Sequence, residues 1–147
     1  MSDASTYTEN RTLDFWLKAN SQSTSAPGTV YLALFTGSAD SAGQAANTAA
    51  NLEEGVLTDE VSTSGTAYAR QTVAFGTISN GSVATSGTVT FPTATADFGT
   101  VSHVAIMDGA TEGADNVIFY GDLTSAKNIE NGDTFQITAG SLTITLA

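Results

Sequence analysis

Cysteine is absent from this 147-residue chain, and basic residues are scarce, with four Lys plus Arg against 15 Asp plus Glu. The absence of cysteine excludes disulfides, thiolate zinc sites and cysteine nucleophiles. The formal net charge of −11 repels phosphate backbones, because nucleic-acid binding depends on Lys and Arg replacing counterions. We therefore expect no direct contact with nucleic acid, and a surface that would complement a basic protein partner.

The lack of long apolar runs and the single histidine exclude further classes of function. No apolar run reaches the roughly 20 residues that span a bilayer, and residues 1–4 lack the basic and apolar regions of a secretion signal, so we expect no membrane partner. His103 is the only histidine, which excludes multi-histidine metal sites, and the chain has no nucleophile-elbow motif. The sequence predicts neither an enzyme nor a bound cofactor.

Small residues and short strand-like segments dominate what is present. Gly, Ala, Ser and Thr fill much of the chain, as is typical of β proteins. Strands are predicted at 29–35, 68–75, 88–91, 100–107, 116–120, 134–138 and 141–146, with an Asn-Gly hairpin within 78–83. This spacing favours an all-β fold, namely an antiparallel β-sandwich, jelly-roll-like, of about eight strands with a short N-terminal helix.

Segment 100–107 is the centre of this prediction. Both of its faces are apolar, so it is expected to be an interior strand of a sheet covered on both sides. Strict alternation would place Val101 on the same face as Ala105 and Met107.

The predicted domain organisation is simple. Residues 1–28 form an N-terminal arm, a short helix and a linker, and residues 29–147 form a single β-sandwich domain. A long loop at 37–57 exceeds ordinary connections, and Glu53 and Glu54 are its only concentration of charge. We expect this loop to contact a partner or to lie free on the surface.

The N-terminal helix has an apolar stripe. Thr8 is its predicted N-cap, and Leu13, Trp16 and Leu17 fall on one face. Because short amphipathic helices need tertiary packing to form, we favour a stripe that caps one end of the β core. The alternative is that the stripe docks on a neighbouring subunit.

Three polar features could be mistaken for a site. His103 lies within an apolar strand, so a core or interface histidine is favoured over a catalytic base, and at an interface its titration would make assembly sensitive to pH. Arg70 is expected to pair with a carboxylate such as Glu60 or Asp97, in preference to contacting a partner. The carboxylates of loop D-G-A-T-E-G-A-D at 108–115 favour an acidic turn over a calcium site, and cation binding there stays open.

The order of segments resembles a known family. The segments are L-D-F-W-L-K, V-Y-L-A-L-F-T-G, A-Y-A-R-Q, V-T-F-P-T-A-T-A-D-F-G-T-V-S-H-V-A-I-M-D, I-F-Y-G-D-L-T-S-A-K and N-G-D-T-F-x-I-x-A-G-S-L-T-I-T-L, and they extend from residue 13 to 146. They are similar to small structural proteins of tailed bacteriophages, labelled tail-fibre-like or virion proteins. The resemblance implies a non-enzymatic virion component that is assembled in the host cytoplasm.

The resemblance leaves the position on the virion open. A compact domain without a repeat favours a capsid decoration or cement protein outside the head, bound to the major capsid protein as a homo-oligomer. The alternative is a tail-associated or tail-fibre-like protein that binds tail proteins and takes part in host attachment. The expected interface residues are Leu13, Trp16, Leu17, Glu53, Glu54, Arg70 and His103.

Two other functions are disfavoured. A glycan-cleaving enzyme needs two carboxylates facing each other, but Asp97 and Asp108 flank the central strand at opposite ends. A carbohydrate-binding module needs exposed aromatic side chains, and Trp16, Tyr31 and Tyr120 are each interpreted as core or interface residues.

Overall fold

The computed structural model describes residues 3–18, 26–37 and 48–146. Within these ranges the chain forms two helices and nine strands. The helices are α1 (Thr6–Leu17) and α2 (Thr48–Glu54). The strands are β1 (Asp3–Ala4), β2 (Val30–Thr36), β3 (Gln71–Val73), β4 (Ser82–Ala84), β5 (Val89–Thr90), β6 (Gly99–Met107), β7 (Val117–Ile129), β8 (Gln136–Ile137) and β9 (Thr143–Thr145).

A five-stranded sheet in the order β1-β7-β6-β2-β3 organises the molecule, and two ribbons, β4-β9 and β5-β8, accompany it. All of these pairings are antiparallel. Strand β6 lies between β7 and β2, as its apolar faces predict. The predicted fold class, mostly antiparallel β with a short N-terminal helix, is confirmed.

Two hydrophobic cores cover the two faces of the sheet. The larger core combines Leu32, Leu34 and Ile106 of the sheet with Phe91 and Ile144, which lie beside or within the ribbons. The ribbons therefore pack over this face in a sandwich-like arrangement. The smaller core contains Ala33, Phe35, Ala105 and Met107 and is covered by Leu52 of α2.

One face assignment in the central strand is wrong. Val101 packs in the larger core with Val104 and Ile106, not with Ala105 and Met107. The pairing of β6 with β7 shifts register between Val101 and His103. A one-residue irregularity reverses the face of a side chain, and alternation along the sequence cannot reveal it.

The structure also adds elements that the sequence did not predict. Helix α2 occupies part of the segment predicted as a long loop, and β1 joins the N-terminal arm to the sheet by pairing with β7. Strand β7 continues to Ile129, well beyond the predicted end at Tyr120. The division into an arm and one β domain stays a prediction.

Helix α1 begins before its predicted N-cap. Ser5 is the N-cap, and its hydroxyl accepts a hydrogen bond from the Thr8 backbone nitrogen at 3.3 Å. The same hydroxyl donates to the carbonyl of Val117, so the cap also attaches the helix to β7. Neither helix in the described ranges is long and apolar enough to cross a membrane.

Candidate interface at one end of the sheet

In the described part of the chain, hydrogen bonds attach the first turn of helix α1 to the sheet. The Ser5 backbone nitrogen and the Thr8 hydroxyl both donate to the carbonyl of Ile118, at 3.2 and 2.8 Å. Asp3 and Ala4 pair with Tyr120 and Phe119 of β7. None of the residues of α1 itself is buried, so the C-terminal half of the helix projects from the body of the domain.

The apolar side chains of that half face solvent. Leu13, Phe15, Trp16 and Leu17 are 55%, 62%, 75% and 77% exposed. The rings of Phe15 and Trp16 meet edge to face with centroids 5.3 Å apart. The predicted capping of the β core by this stripe is therefore wrong, because Leu52 of α2 already covers the nearby core.

A cleft of about 560 Å³ separates α1 from the strand ends below it. Arg11, Phe15 and Trp16 line it from the helix, and Asp108 and Ile118 line it from the body. The guanidinium carbon of Arg11 lies 5.2 Å from the centroid of the Tyr7 ring, a cation–π contact that keeps this cation on the helix surface.

An apolar groove of about 360 Å³ adjoins the cleft and shares Ile118 with it. No charged side chain lines it. Ile78 and Leu146 on the groove are 74% and 63% exposed. The full lining is Val30, Phe75, Gly76, Ile78, Gly81, Ser82, Val83, Ile106, Ile118, Phe119, Ile144 and Leu146.

We refer to α1 together with this groove as the apolar end. Of the seven large apolar side chains that are exposed in the described part of the chain, Val56 alone lies elsewhere. Soluble monomers rarely expose a contiguous apolar patch beyond a few hundred Å², and larger ones mark contact sites for other molecules. The apolar end is therefore the candidate interface.

The helix is also electrically balanced. Glu9 and Asp14 offset Arg11 and Lys18, so the segment 6–18 has no formal net charge in a chain of −11. Lys18 Nζ lies 2.7 Å from Asp14, and this hydrogen bond raises the pKa of Lys18. The whole net charge of the protein is consequently carried outside the segment 6–18.

Arg70 lies inside the molecule, beside the loop that adjoins the cleft. Its guanidinium donates to both oxygens of Glu60 at 2.7 and 2.8 Å, to the carbonyls of Gly109 and Ala114, and to Asp115 at 3.2 Å. The Arg70 and Glu60 side chains are 1% and 2% exposed. Of the two carboxylates that the sequence proposed for Arg70, the structure selects Glu60, and the enclosed side chain offers no surface to a partner.

Tyr68 completes this buried cluster. Its hydroxyl donates to Glu60 at 3.1 Å and accepts from the Leu34 backbone nitrogen at 3.0 Å. Burial, together with the negative charge of Glu60, raises the pKa of Tyr68 far above its usual value. Burial alone would lower the pKa of Arg70, but the hydrogen bonds and charge of Glu60 outweigh it and raise that pKa. We call Glu60, Tyr68, Arg70 and Asp115 the latch.

The carboxylates of loop 108–115 close the loop on itself and on its neighbours. Asp108 accepts from the backbone and side chain of Asn116, at 2.7 and 2.8 Å. Glu112 accepts from the backbone nitrogen and hydroxyl of Thr63, and these bonds lower the pKa of Glu112. The described residues contain no group of three or more His, Cys, Asp or Glu side chains placed to hold a metal ion.

None of the remaining predicted interface residues lines the groove or the cleft. Glu53 and Glu54 are exposed on α2, which contacts α1. His103 is half-buried, with Nδ1 2.8 Å from the Ser102 hydroxyl. Burial lowers the pKa of His103, and the charges of Asp122 and Asp59 oppose this shift.

Sequence reasoning missed part of the apolar end. Phe15 lies off the helical stripe, and Ile78 and Leu146 belong to segments interpreted as ordinary strands. Leu146 follows β9 and Ile78 precedes the β4 hairpin, so they meet only because the ribbon pairs these segments. The one signal in the sequence was a large apolar residue at the end of each segment, which also suits a core position.

A mostly β domain with an exposed apolar end is typical of one class, that of structural subunits. Within that class, the family model described as "Podophage GP4 fiber I protein gp80" matches residues 3–145. The chain belongs to this family of phage virion structural proteins, and the resemblance seen in the sequence is confirmed. None of the curated proteins matches the chain.

Proposed function

We propose that this protein is a fibre-associated structural subunit of a phage virion and attaches to its neighbours through the apolar end. The family description names a fibre protein, which supports this position over others. The observation that carries the proposal is the row of large apolar side chains of α1, 55% to 77% exposed. An isolated domain gains nothing from such exposure, whereas a subunit buries it on assembly.

Capsid decoration, which the sequence favours, is the second candidate. The observation in its favour is the compact sandwich-like domain, since the described residues include no elongated stalk. In this role the protein would bind the major capsid protein, and in the fibre role it would bind tail proteins of the same virion. A role in host attachment belongs to the fibre proposal.

The role we propose is structural and not enzymatic. Tyr68 and Arg70, whose pKa values are both raised, each donate a hydrogen bond to Glu60 inside the latch. His103 has its Nδ1 beside the Ser102 hydroxyl, which accepts from the Gly37 backbone nitrogen at 2.8 Å. In the role we propose, these groups stabilise the fold.

Copy number and position on purified virions separate the two roles. We would measure the ratio of this protein to the major capsid protein by quantitative mass spectrometry, and locate it by immunogold electron microscopy. The fibre role predicts a small number of copies with label at the tail. Decoration predicts a simple icosahedral fraction of the capsid protein and label over the head. Absence from virions would contradict both roles.

Two variants test whether incorporation into virions depends on the apolar end. Trp16→Ser together with Leu17→Ser should abolish incorporation into virions, while the protein keeps its circular dichroism spectrum because no α1 residue is buried. Val56→Ser is the matched control, since Val56 is exposed at 42% but lies outside the apolar end. Normal incorporation of the double variant would exclude this surface as the attachment site.

A further inference from the structure

The exposed apolar area at this end is large enough to form an interface. Aromatic side chains bury about 150–250 Å² each and Leu or Ile somewhat less, so the five exposed apolar side chains of the stripe and the groove present on the order of 500 Å². That is comparable to the largest apolar patch on a typical monomer, about 300–600 Å². With the surrounding polar atoms it approaches the roughly 800 Å² per partner of a stable protein interface.

The distribution of charge favours a second copy of this chain as the partner. Two copies of a chain with a net charge of −11 repel each other over most of their surface. The balanced helix and the uncharged groove are the surfaces on which two copies can meet without opposing carboxylates. A basic partner would bind more favourably to the acidic surface elsewhere on the chain, because segment 6–18 and the groove offer no net negative charge to complement it.

Shape identifies how the two copies meet. The helix is convex, with the stripe of Leu13, Trp16 and Leu17 projecting, and the groove is concave and apolar. Ile118 lines both the groove and the cleft beneath the helix, so the two features are neighbours. A two-fold axis near Ile118 would place each helix over the groove of the other copy, which gives the self-complementary contact of an isologous dimer.

We propose that a second copy of this chain occupies the apolar end, with the helix α1 of each copy seated in the groove of the other. The proposal deepens the proposed function by naming a partner for the same surface. It is tested on purified protein without virions, so its failure and the failure of the virion role are distinguishable.

The first experiment measures self-association of the full chain by light scattering after size exclusion and by sedimentation equilibrium. The wild type should dimerise. A helix variant, Trp16→Ser with Leu17→Ser, and a groove variant, Ile78→Ser with Leu146→Ser, should each raise the dimer Kd at least about 30-fold, the size expected for central interface residues. Val56→Ser should dimerise as the wild type does. All four replaced side chains are more than half exposed, and circular dichroism with thermal unfolding checks that each variant is folded.

Mixing the two variants tests the helix-to-groove arrangement directly. The helix variant keeps an intact groove, and the groove variant keeps an intact helix. A mixture should form a heterodimer through one intact contact, although neither variant associates alone. A monomeric wild type would overturn the proposal, and so would a groove variant that dimerises normally, which would indicate helix-to-helix pairing. A monomeric wild type whose helix variant fails to enter virions would assign the apolar end to another virion protein.

Discussion

Arg70 holds together three parts of the chain that are distant in sequence. Its guanidinium joins Glu60, the carbonyls of Gly109 and Ala114, and Asp115, and Arg70 itself directly precedes β3. The fork of two parallel bonds to Glu60 is the strongest form of such a pair. The latch thereby fixes the connection between β6 and β7, and this connection carries Asp108 to the edge of the cleft.

Removing the charge of Glu60 should leave Arg70 buried without its main partner. We expect Glu60→Gln to lower the free energy of unfolding by about 3–5 kcal/mol, because an uncompensated buried charge is costly. Urea unfolding at neutral pH measures the loss. Asp14→Asn makes the same chemical change in an exposed ion pair and should have little effect. Equal urea midpoints for the two variants would contradict the structural role of the latch.

Tyr68 should make the protein sensitive to alkali. Its pKa is raised in the folded state, so above the usual value of 10 the unfolded chain loses a proton that the folded chain keeps. The stability contributed by neutral Tyr68 is therefore complete below pH 10 and declines as the pH rises further. We expect Tyr68→Phe to be less stable at neutral pH but to show a shallower alkaline decline in urea unfolding.

The control for this prediction is Tyr7→Phe, since Tyr7 lies on α1, away from the latch. This variant should keep the alkaline slope of the wild type. If Tyr68→Phe also kept that slope, the alkaline loss would have to arise at another group, such as Tyr120, whose pKa is raised by burial and by nearby carboxylates.

The hairpin that leads into β4 shows how a single element depends on its turn. Asn80 and Gly81 both have positive φ angles, 50° and 72°, and Ser79 pairs with Ser82 across the turn. This confirms the hairpin that the Asn-Gly dipeptide predicts. The hairpin brings Gly81 against the Leu146 carbonyl, where an added Cβ would lie 2.8 Å from that oxygen.

Replacing Gly81 should therefore destabilise the ribbon and one wall of the groove. We expect Gly81→Ala to lower the free energy of unfolding by about 1–2 kcal/mol from backbone strain alone, with a further loss from the contact with Leu146. Gly87→Ala is the control, because Gly87 has no positive φ and no atom within 4 Å of its Cβ position. It should be neutral or slightly stabilising. Thermal unfolding compares the two, and equal midpoints would contradict the prediction.

The elements differ in how far the sequence could predict them. Strands β2 and β6 were predicted almost to the residue, because an interior strand must be apolar on both faces and that pattern is local. Strand β1 has two residues, which are too few to show an alternating pattern in the sequence. It forms a strand because it pairs with β7. Helix α2 has a single buried apolar side chain, Leu52, so its sequence lacks the repeated stripe that indicates a helix.

The candidate interface was predicted only in part, because a local sequence pattern does not reveal contacts with distant parts of the chain. Leu13, Trp16 and Leu17 form a recognisable stripe. Such a stripe indicates that one face of the helix will be buried, but it does not identify what buries that face. The tether of α1 through its first turn decides that the stripe faces solvent, and that tether consists of bonds from Ser5 and Thr8 to β7. Side-chain bonds to a distant carbonyl leave no pattern in the sequence. The partner of Arg70 was easier to predict, because an isolated cation within a predicted strand of an acidic chain needs a carboxylate.

At the scale of the whole molecule, charge and apolar surface are separated. Segment 6–18 and the groove have no formal net charge, while the rest of the chain carries all of the −11. The acidic remainder favours solubility and limits contact between copies elsewhere. In an assembly of such subunits, this separation would favour contact at the apolar end over unspecific association.

This separation predicts the salt dependence of self-association. Raising the ionic strength from about 0.1 M to about 1 M shortens the Debye length from about 10 Å to about 3 Å, which screens the repulsion between two copies and leaves the apolar contact intact. The dimer Kd from sedimentation equilibrium should fall several-fold over this range. The double variant Glu53→Gln with Glu54→Gln, with a net charge of −11 + 2 = −9, should dimerise more tightly at low salt and respond less to added salt. A Kd that rises with salt would mean that attraction between opposite charges holds the copies together, and would contradict an interface formed by the balanced helix and the uncharged groove.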